Sequence, residues 1–192
     1  MGKRQAGPDD ALVVVDLQND FCPGGSLAVP EGDLIVPLVN RVLALPRLVK
    51  VATRDWHPAD HISFKDQGGI WPPHCVVDTQ GARFHPRVDE DRVDFVVSKG
   101  TRTEADAYSG FDGTSLTADL KSKGVRRIFL CGLATDYCVK ATALDGKAEG
   151  LEVVVLEDAI RAVDVESGNG ERAIEEMRGA GCIFMNSPEI SG

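Results

Sequence analysis

Four polar residues stand at the ends of apolar runs. Asp16 closes A-L-V-V-V-D, Asp55 follows Leu48 to Thr53, Lys99 follows Val93 to Ser98, and Cys138 lies beyond Arg127 to Cys131. Asp16, Lys99 and Cys138 together can run nucleophilic chemistry. A free thiol has a pKa near ~8.5 and needs help at neutral pH. A carboxylate within reach can take its proton, and a lysine can hold the resulting charges together. Cys138 sits in C-G-L-A-T-D-Y-C-V-K-A-T-A-L, Cys131 to Leu144, where an apolar run gives way to helical spacing. Thr135 or Asp136 occupies the N-cap position, which places Cys138 in the first turn of a helix. Backbone amides and the helix dipole there favour a thiolate. Each residue also has a plain alternative: a cysteine that only packs, an aspartate capping a loop, a solvated lysine at a strand end. Their convergence on one sheet edge favours chemistry.

A second set of residues suits a metal. In D-W-H-P-A-D-H-I-S-F, Asp55 to Phe64, Asp55 and His57 are two residues apart, so on an extended segment both point the same way. His74, in W-P-P-H-C, can return from the following loop to complete two imidazoles and a carboxylate. That donor set takes zinc, iron(II) or manganese and leaves positions open. His61 is a candidate fourth ligand and equally a structural histidine, and His85 reads as structural. Phe21, Leu27, Trp71, Tyr108 and Tyr137 lie in the same loops and could line a pocket for a flat ring, although each alone is more often core.

These residues need a frame to hold them. Ala11–Asp16, Leu48–Thr53, Val93–Ser98, Arg127–Cys131, Leu151–Leu156 and Cys182–Met185 read as buried strands. Helical patterns intervene: Ile35, Leu38, Val39, Val42 and Leu45 from Asp33 onward, with Pro37 tolerable near the start, then Ser115–Lys123, the Cys138 helix out to Gly150, and Gly170–Arg178. Such alternation predicts an α/β fold, three layers with a mainly parallel, doubly wound sheet, whose ligands collect at the carboxyl ends of the strands. The interval 54–92 breaks the rhythm. It is rich in His, Pro, Gly and Trp, holds all four histidines, and reads as a binding insert.

The chain as a whole limits the partners. With 192 residues it reads as one domain, 1–192. A net charge of -9 argues against nucleic acid and anionic membrane surfaces. Five cysteines without a CxxC pair fit a reducing compartment. The N-terminal M-G-K-R-Q-A-G-P-D-D lacks a signal-peptide core, and no apolar run approaches membrane-spanning length, so the cytoplasm is the expected location. Monomer and homo-oligomer both stay open.

The motifs D-L-Q-N-D-F with P-G-G-S-L, T-R-D-W-H-P-A-D-H-I-S-F, W-P-P-H-C, Lys99 before Gly100, A-Y-S-G-F and C-G-L-A-T-D-Y-C-V span almost the whole chain. Through them the sequence resembles the nicotinamidases (pyrazinamidases) of the cysteine hydrolase group with the isochorismatase-like fold. The resemblance implies a catalytic triad of Asp16, Lys99 and Cys138, metal ligands Asp55, His57 and His74, and a ring pocket containing Phe21, Trp71 and Tyr108. It also implies a cis peptide before Ala134 and an oxyanion hole from the amides of Ala134 and Cys138. The implied reaction is hydrolysis of nicotinamide to nicotinate and ammonia through a cysteine thioester, in NAD salvage, with pyrazinamide a further substrate. One divalent metal ion, zinc foremost with iron or manganese as alternatives, and no organic cofactor would serve it. The rival readings are another amidase or hydrolase of the superfamily, a non-haem iron oxygenase sharing the two-histidine, one-carboxylate set, and a non-enzymatic metal-binding or thiol-redox module.

Overall fold

A computed structural model describes residues 4–192; the first three residues of the N-terminal stretch read above lie outside it. Eight strands run in chain order: β1 (Arg4–Gln5), β2 (Asp10–Val15), β3 (Val49–Asp55), β4 (Phe95–Lys99), β5 (Arg127–Leu133), β6 (Glu152–Arg161), β7 (Ile183–Met185) and β8 (Ile190–Ser191). Four α-helices accompany them: α1 (Val36–Leu43), α2 (Leu116–Ser122), α3 (Lys140–Ala148) and α4 (Asn169–Gly179). Six strands form one parallel sheet in the order β4-β3-β2-β5-β6-β7, and β1 pairs with β8 alone.

The alternation along β2 shows how the layers arise. Successive side chains of a strand point to opposite faces. Leu12 and Val14 accordingly pack with Val39 and Val42 of α1, whereas Ala11, Val13 and Val15 pack with Leu116 and Leu120 of α2, Ala143 of α3 and Met177 of α4. Both faces are covered, which is why β2 is apolar along its whole length past Asp10. From β2 the chain winds outward to β3 and β4; from β5 it winds the other way, to β6 and β7. Right-handed crossovers in opposite directions put their connections on opposite faces. The long β3–β4 connection therefore lies with α1, and its Cys75, Ala82, Phe84 and Val88 join the α1-side core. The order reverses between β2 and β5. Crevices for ligands open at such a place, beyond the carboxyl ends of the strands.

Most expected elements form within two or three residues of their predicted bounds. The first helical pattern begins as a 3₁₀ turn, Gly32–Ile35, before α1, with Pro37 in the first helical turn. Strand β6 runs five residues past the expected Leu156, because a register shift opposite Leu130/Gly132 lets it resume pairing at Ile160 and Arg161. Its polar Glu157 and Asp158 had masked that continuation. Gly132 matters here: at φ +116° a Cβ would stand 2.0 Å from the carbonyl oxygen of Val15, so only glycine lets β5 lie this close to the end of β2. No helix among the described residues is long and apolar enough to cross a membrane.

Candidate active site

Asp55 and Lys99 are the last residues of β3 and β4 and are paired in register. Asp16 follows β2 directly, in the left-handed region at φ +46°, its amide donating to the carbonyl of Thr53 at 3.2 Å. Cys138 lies five residues past β5. The carboxyl edge of the sheet thus gathers all four residues. Lys99 Nζ lies 2.9 Å from Asp16 Oδ2, 2.5 Å from Asp55 Oδ1 and 3.4 Å from Cys138 Sγ. Lys99, Asp16 and Cys138 are all buried.

Burial sets the protonation of this cluster. It pushes the Cys138 thiol well above its ordinary value; Lys99 opposes this, and the carboxylates of Asp16 and Asp55 add to it. The amides of the turn are expected to favour a thiolate; burial and two nearby anions push the thiol the other way, so a base has to take its proton. Asp16 is raised too, by burial first, against the pull of Lys99, and this makes it a stronger proton acceptor. Asp55 goes the other way. Burial alone would raise it, but Lys99 and then His57 hold its carboxyl well below the usual carboxylate range.

The segment carrying Cys138 also differs from expectation. Thr135–Val139 forms a π-type turn ahead of α3, and the N-cap position belongs to Ala134, without a side-chain bond. Asp136 does not cap this turn: its two oxygens accept the amides of Val163 and Asp164 at 2.9 Å each, tying the turn to the chain beyond β6. Thr135 makes no capping bond either. The carbonyl of Ala134 accepts the amides of Tyr137 and Val139, one on either side of Cys138. Wide turns of this kind recur at functional sites. The Leu133–Ala134 peptide is cis.

Isolated bridges pin the insert to the loop after β2, Gln18 to Phe84, and to itself, His57 to Val76 and Phe64 to Trp71. His57 donates its amide to Cys75 O, and Val77 donates to His57 O, so the W-P-P-H-C segment runs beside His57 and returns His74 to it. Asp55, His57 and His74 each offer one donor atom, and these lie within 4.8 Å of one another. Two further contacts fix which atoms face inward. His57 Nδ1 lies 2.8 Å from Gly100 O and His74 Nδ1 2.8 Å from Pro72 O, leaving each Nε2 for the cluster. Asp55 gives Oδ1 to Lys99 and keeps Oδ2, 3.5 Å from His57 Nε2. Ring nitrogens oriented by carbonyls, with a carboxylate oriented by a lysine, make a donor set that fits a divalent cation. Burial lowers His74, which suits a neutral ligand. For His57 burial lowers the pKa, and Asp55 with the Gly100 carbonyl more than restores it.

His61 is placed otherwise. Its ring stacks on His57 with centroids 4.0 Å apart, while Nδ1 meets Ser63 Oγ at 2.7 Å and Nε2 meets Ala105 O at 3.2 Å. Both nitrogens have protein partners, which favours the structural side of its double reading. A second grouping, His57, His61 and Asp106, also has donor atoms within 4.8 Å. His85 stays apart, its Nδ1 accepting from the Arg87 amide.

A cavity of about 440 Å³ opens onto Cys138 and Ala134 on one side and onto Asp55, His57 and His74 on the other. All five apolar residues expected for a pocket line it: Phe21, Leu27, Trp71, Tyr108 and Tyr137. Trp71 meets Tyr137 edge-on at 5.1 Å and donates its indole N–H to the Tyr108 hydroxyl at 3.0 Å, so these three rings form one wall. Phe21 stands against His74 at 5.5 Å. Asp106 and Val163 line the cavity as well and went unnoticed in the sequence. Gln18 was also missed. Buried inside D-L-Q-N-D-F, it donates to Asp55 O and Ala82 O and accepts the Asp55 amide, each at 2.8 Å. A fully buried amide satisfied on both sides is a brace for the backbone of Asp55. No local pattern singles it out, since it stands between Leu17 and the polar Asn19.

Known proteins repeat this chain. The isochorismatase domain model matches residues 10–189. The nicotinamidase of Escherichia coli is 39% identical over 92% of this chain and 94% of its own length. The structure of a Pyrococcus horikoshii pyrazinamidase in complex with zinc superposes with a TM-score of 0.87 at 49% identity, covering 93% of this chain and 99% of that one. The PnC1 protein of L. infantum, in complex with nicotinate, gives a TM-score of 0.94 at 38% identity, covering 99% and 98%. The chain belongs to the isochorismatase family, and its relatives there include nicotinamidases and pyrazinamidases.

Proposed function

We propose that this chain is a nicotinamidase: an amidohydrolase that converts nicotinamide to nicotinate and ammonia through a thioester on Cys138, serving NAD salvage, and that accepts pyrazinamide as well. One observation carries the reading. Cys138, grouped with buried Asp16 and Lys99, and the Asp55–His57–His74 cluster line the same aromatic-walled cavity. Apolar and aromatic walls with a few converging polar groups are the make-up of small-ligand sites. The relatives named nicotinamidase and pyrazinamidase support the substrate class.

When bound by Asp55, His57 and His74, a divalent cation, with zinc the first choice and iron or manganese the alternatives, supplies a Lewis-acid anchor for a ring nitrogen of the substrate. The remaining work belongs to side chains and backbone. Trp71, Tyr108, Tyr137 and Phe21 hold the ring and exclude water, which strengthens every charge interaction inside. Cys138 gives its proton to Asp16 as sulfur bonds to the carboxamide carbon. Lys99 stays cationic throughout, for the two carboxylates outweigh its burial and raise it well above its ordinary value. The amides of Ala134 and Cys138 donate to the tetrahedral oxyanion, and a single such donor is worth roughly 3–4 kcal/mol. Asp16 returns the proton to nitrogen, the C–N bond breaks and ammonia leaves. Asp16 then takes a proton from water as its oxygen attacks the thioester, and the released thiolate is reprotonated as nicotinate departs. The five cysteines are free thiols, as persist in reducing compartments, and the cytoplasm is the location this reading assigns.

The direct test is ammonia release from nicotinamide, pyrazinamide and a panel of unrelated amides. Turnover of the first two is expected; no ammonia from either, or oxygen uptake in its place, would overturn the reading. Metal dependence gives a second test. Stripping with a chelator is expected to remove activity or raise KM, with recovery on adding zinc. Asp55→Ala is expected to weaken zinc binding by at least the roughly 10- to 100-fold seen on losing an outer-shell partner, measured by competition with a chromogenic chelator.

A further inference from the structure

Asp16 is held asymmetrically. Its Oδ1 accepts the hydroxyl proton of Thr53 at 2.7 Å. Its Oδ2, also buried, lies 2.9 Å from the Lys99 ammonium and meets no hydroxyl or amide donor among the described residues. Facing the ammonium alone, it is the oxygen whose lone pairs no fixed hydroxyl or amide takes up. Asp16, Asp55 and Cys138 each offer one donor atom, and these lie within 4.8 Å of one another.

Thr53 has little freedom to do otherwise. It is fully buried on β3, and a β-branched side chain is stiff at χ1. Its methyl packs at the glycine of A-Y-S-G-F: a Cβ on Gly110 would stand 2.9 Å from Thr53 Cγ2. With the methyl seated there, the hydroxyl meets Asp16, whose amide in turn donates to the Thr53 carbonyl. One threonine therefore holds Asp16 through both its backbone and its side chain.

We infer that Thr53 is a positioning residue for the proton transfer: by occupying Oδ1 it leaves Oδ2 of Asp16 as the oxygen that takes the proton from Cys138 and hands it on. The inference rests on the reading of Asp16 as the base. It assigns the transfer to one atom and gives the hydroxyl of Thr53 a function that its volume does not have.

The experiment compares hydroxyl with shape in the metal-loaded enzyme. Thr53→Val keeps the shape and loses the hydroxyl, whereas Thr53→Ser keeps the hydroxyl and loses a methyl. The expected result is a kcat for nicotinamide lower by roughly 10- to 100-fold in Thr53→Val, with KM near that of the parent, and most of kcat retained in Thr53→Ser. Should the valine variant fail to fold, Thr53→Ala replaces it, because alanine and serine differ here only in the hydroxyl; alanine slow and serine active supports the inference. Equal losses in the serine and valine variants, a valine variant as active as the parent, or a change confined to KM would each overturn it. Asp16→Asn separates the two levels. Retained turnover in that variant removes the base itself, whereas an inactive Asp16→Asn beside a fully active Thr53→Val removes only the role of Thr53.

Discussion

Replacing Cys138 with alanine is expected to abolish ammonia release from nicotinamide while nicotinate still binds. The loss should reach roughly 10⁴–10⁶-fold in kcat, the scale on which other hydrolases lose activity with their nucleophile. The remaining cavity explains the preserved binding. The aromatic wall and the Asp55–His57–His74 cluster are independent of the sulfur, and Lys99 keeps both carboxylate partners. Calorimetry with nicotinate, beside a coupled ammonia assay, separates the two effects. Turnover within a few-fold of the parent would sink the thioester route. Because burial holds the thiol protonated, a base must accept the proton as attack proceeds, and an amine or hydroxyl elsewhere in the cavity does not replace that pairing.

Lys99→Met is expected to have the largest effect on stability. The ammonium sits between two buried carboxylates, and removing it leaves Asp16 without its cation and Asp55 with only His57 beside it. Breaking a buried pair from one side costs about 3–5 kcal/mol, measurable as a lower denaturation midpoint of the metal-free protein. The pH dependence has a definite sign. In the parent the folded pKa of Asp55 is depressed, so its contribution is present above its unfolded value near ~3.9 and is lost as pH falls through the folded value. Without Lys99 both carboxyls should be raised by burial. A raised group stabilises the fold below its unfolded pKa and loses that contribution as pH climbs through the folded one. The deficit of Lys99→Met should therefore shrink in mild acid, where Asp16 and Asp55 take up protons. A deficit that widens in acid, or none at any pH, would show that the ion cluster does not hold this edge together. Activity should fall as well, since Lys99 is the cation facing Cys138 Sγ.

Much of this was legible in the chain. The continuous apolar runs of β2 and β5 announce strands covered on both faces, and that pattern implies helices on each side. A polar residue closing such a run has only the carboxyl edge to occupy, so the places of Asp16, Asp55 and Lys99 follow from local pattern alone. Spacing likewise put Asp55 and His57 on one side of an extended segment. The first turn at Cys138 was misjudged for a local reason. Thr135 and Asp136 have the composition of a cap, but the Asp136 carboxylate finds two amides, of Val163 and Asp164, that the linear chain keeps 27 and 28 residues away.

The sequence by itself determined the alternating α/β pattern, the edge on which the polar residues stand and the types of donor available for chemistry. Only the tertiary structure decided their electrostatics and partners. Whether Cys138 carries a thiol or a thiolate depends on burial and on two carboxylates from other strands. Which oxygen of Asp16 is left open depends on Thr53, and the placing of Asp55 depends on Gln18. Periodicity is a property of neighbours in the chain, set by backbone geometry. Desolvation and hydrogen bonding are properties of neighbours in space, and they come into being only when β2, β3, β4 and β5 are brought side by side.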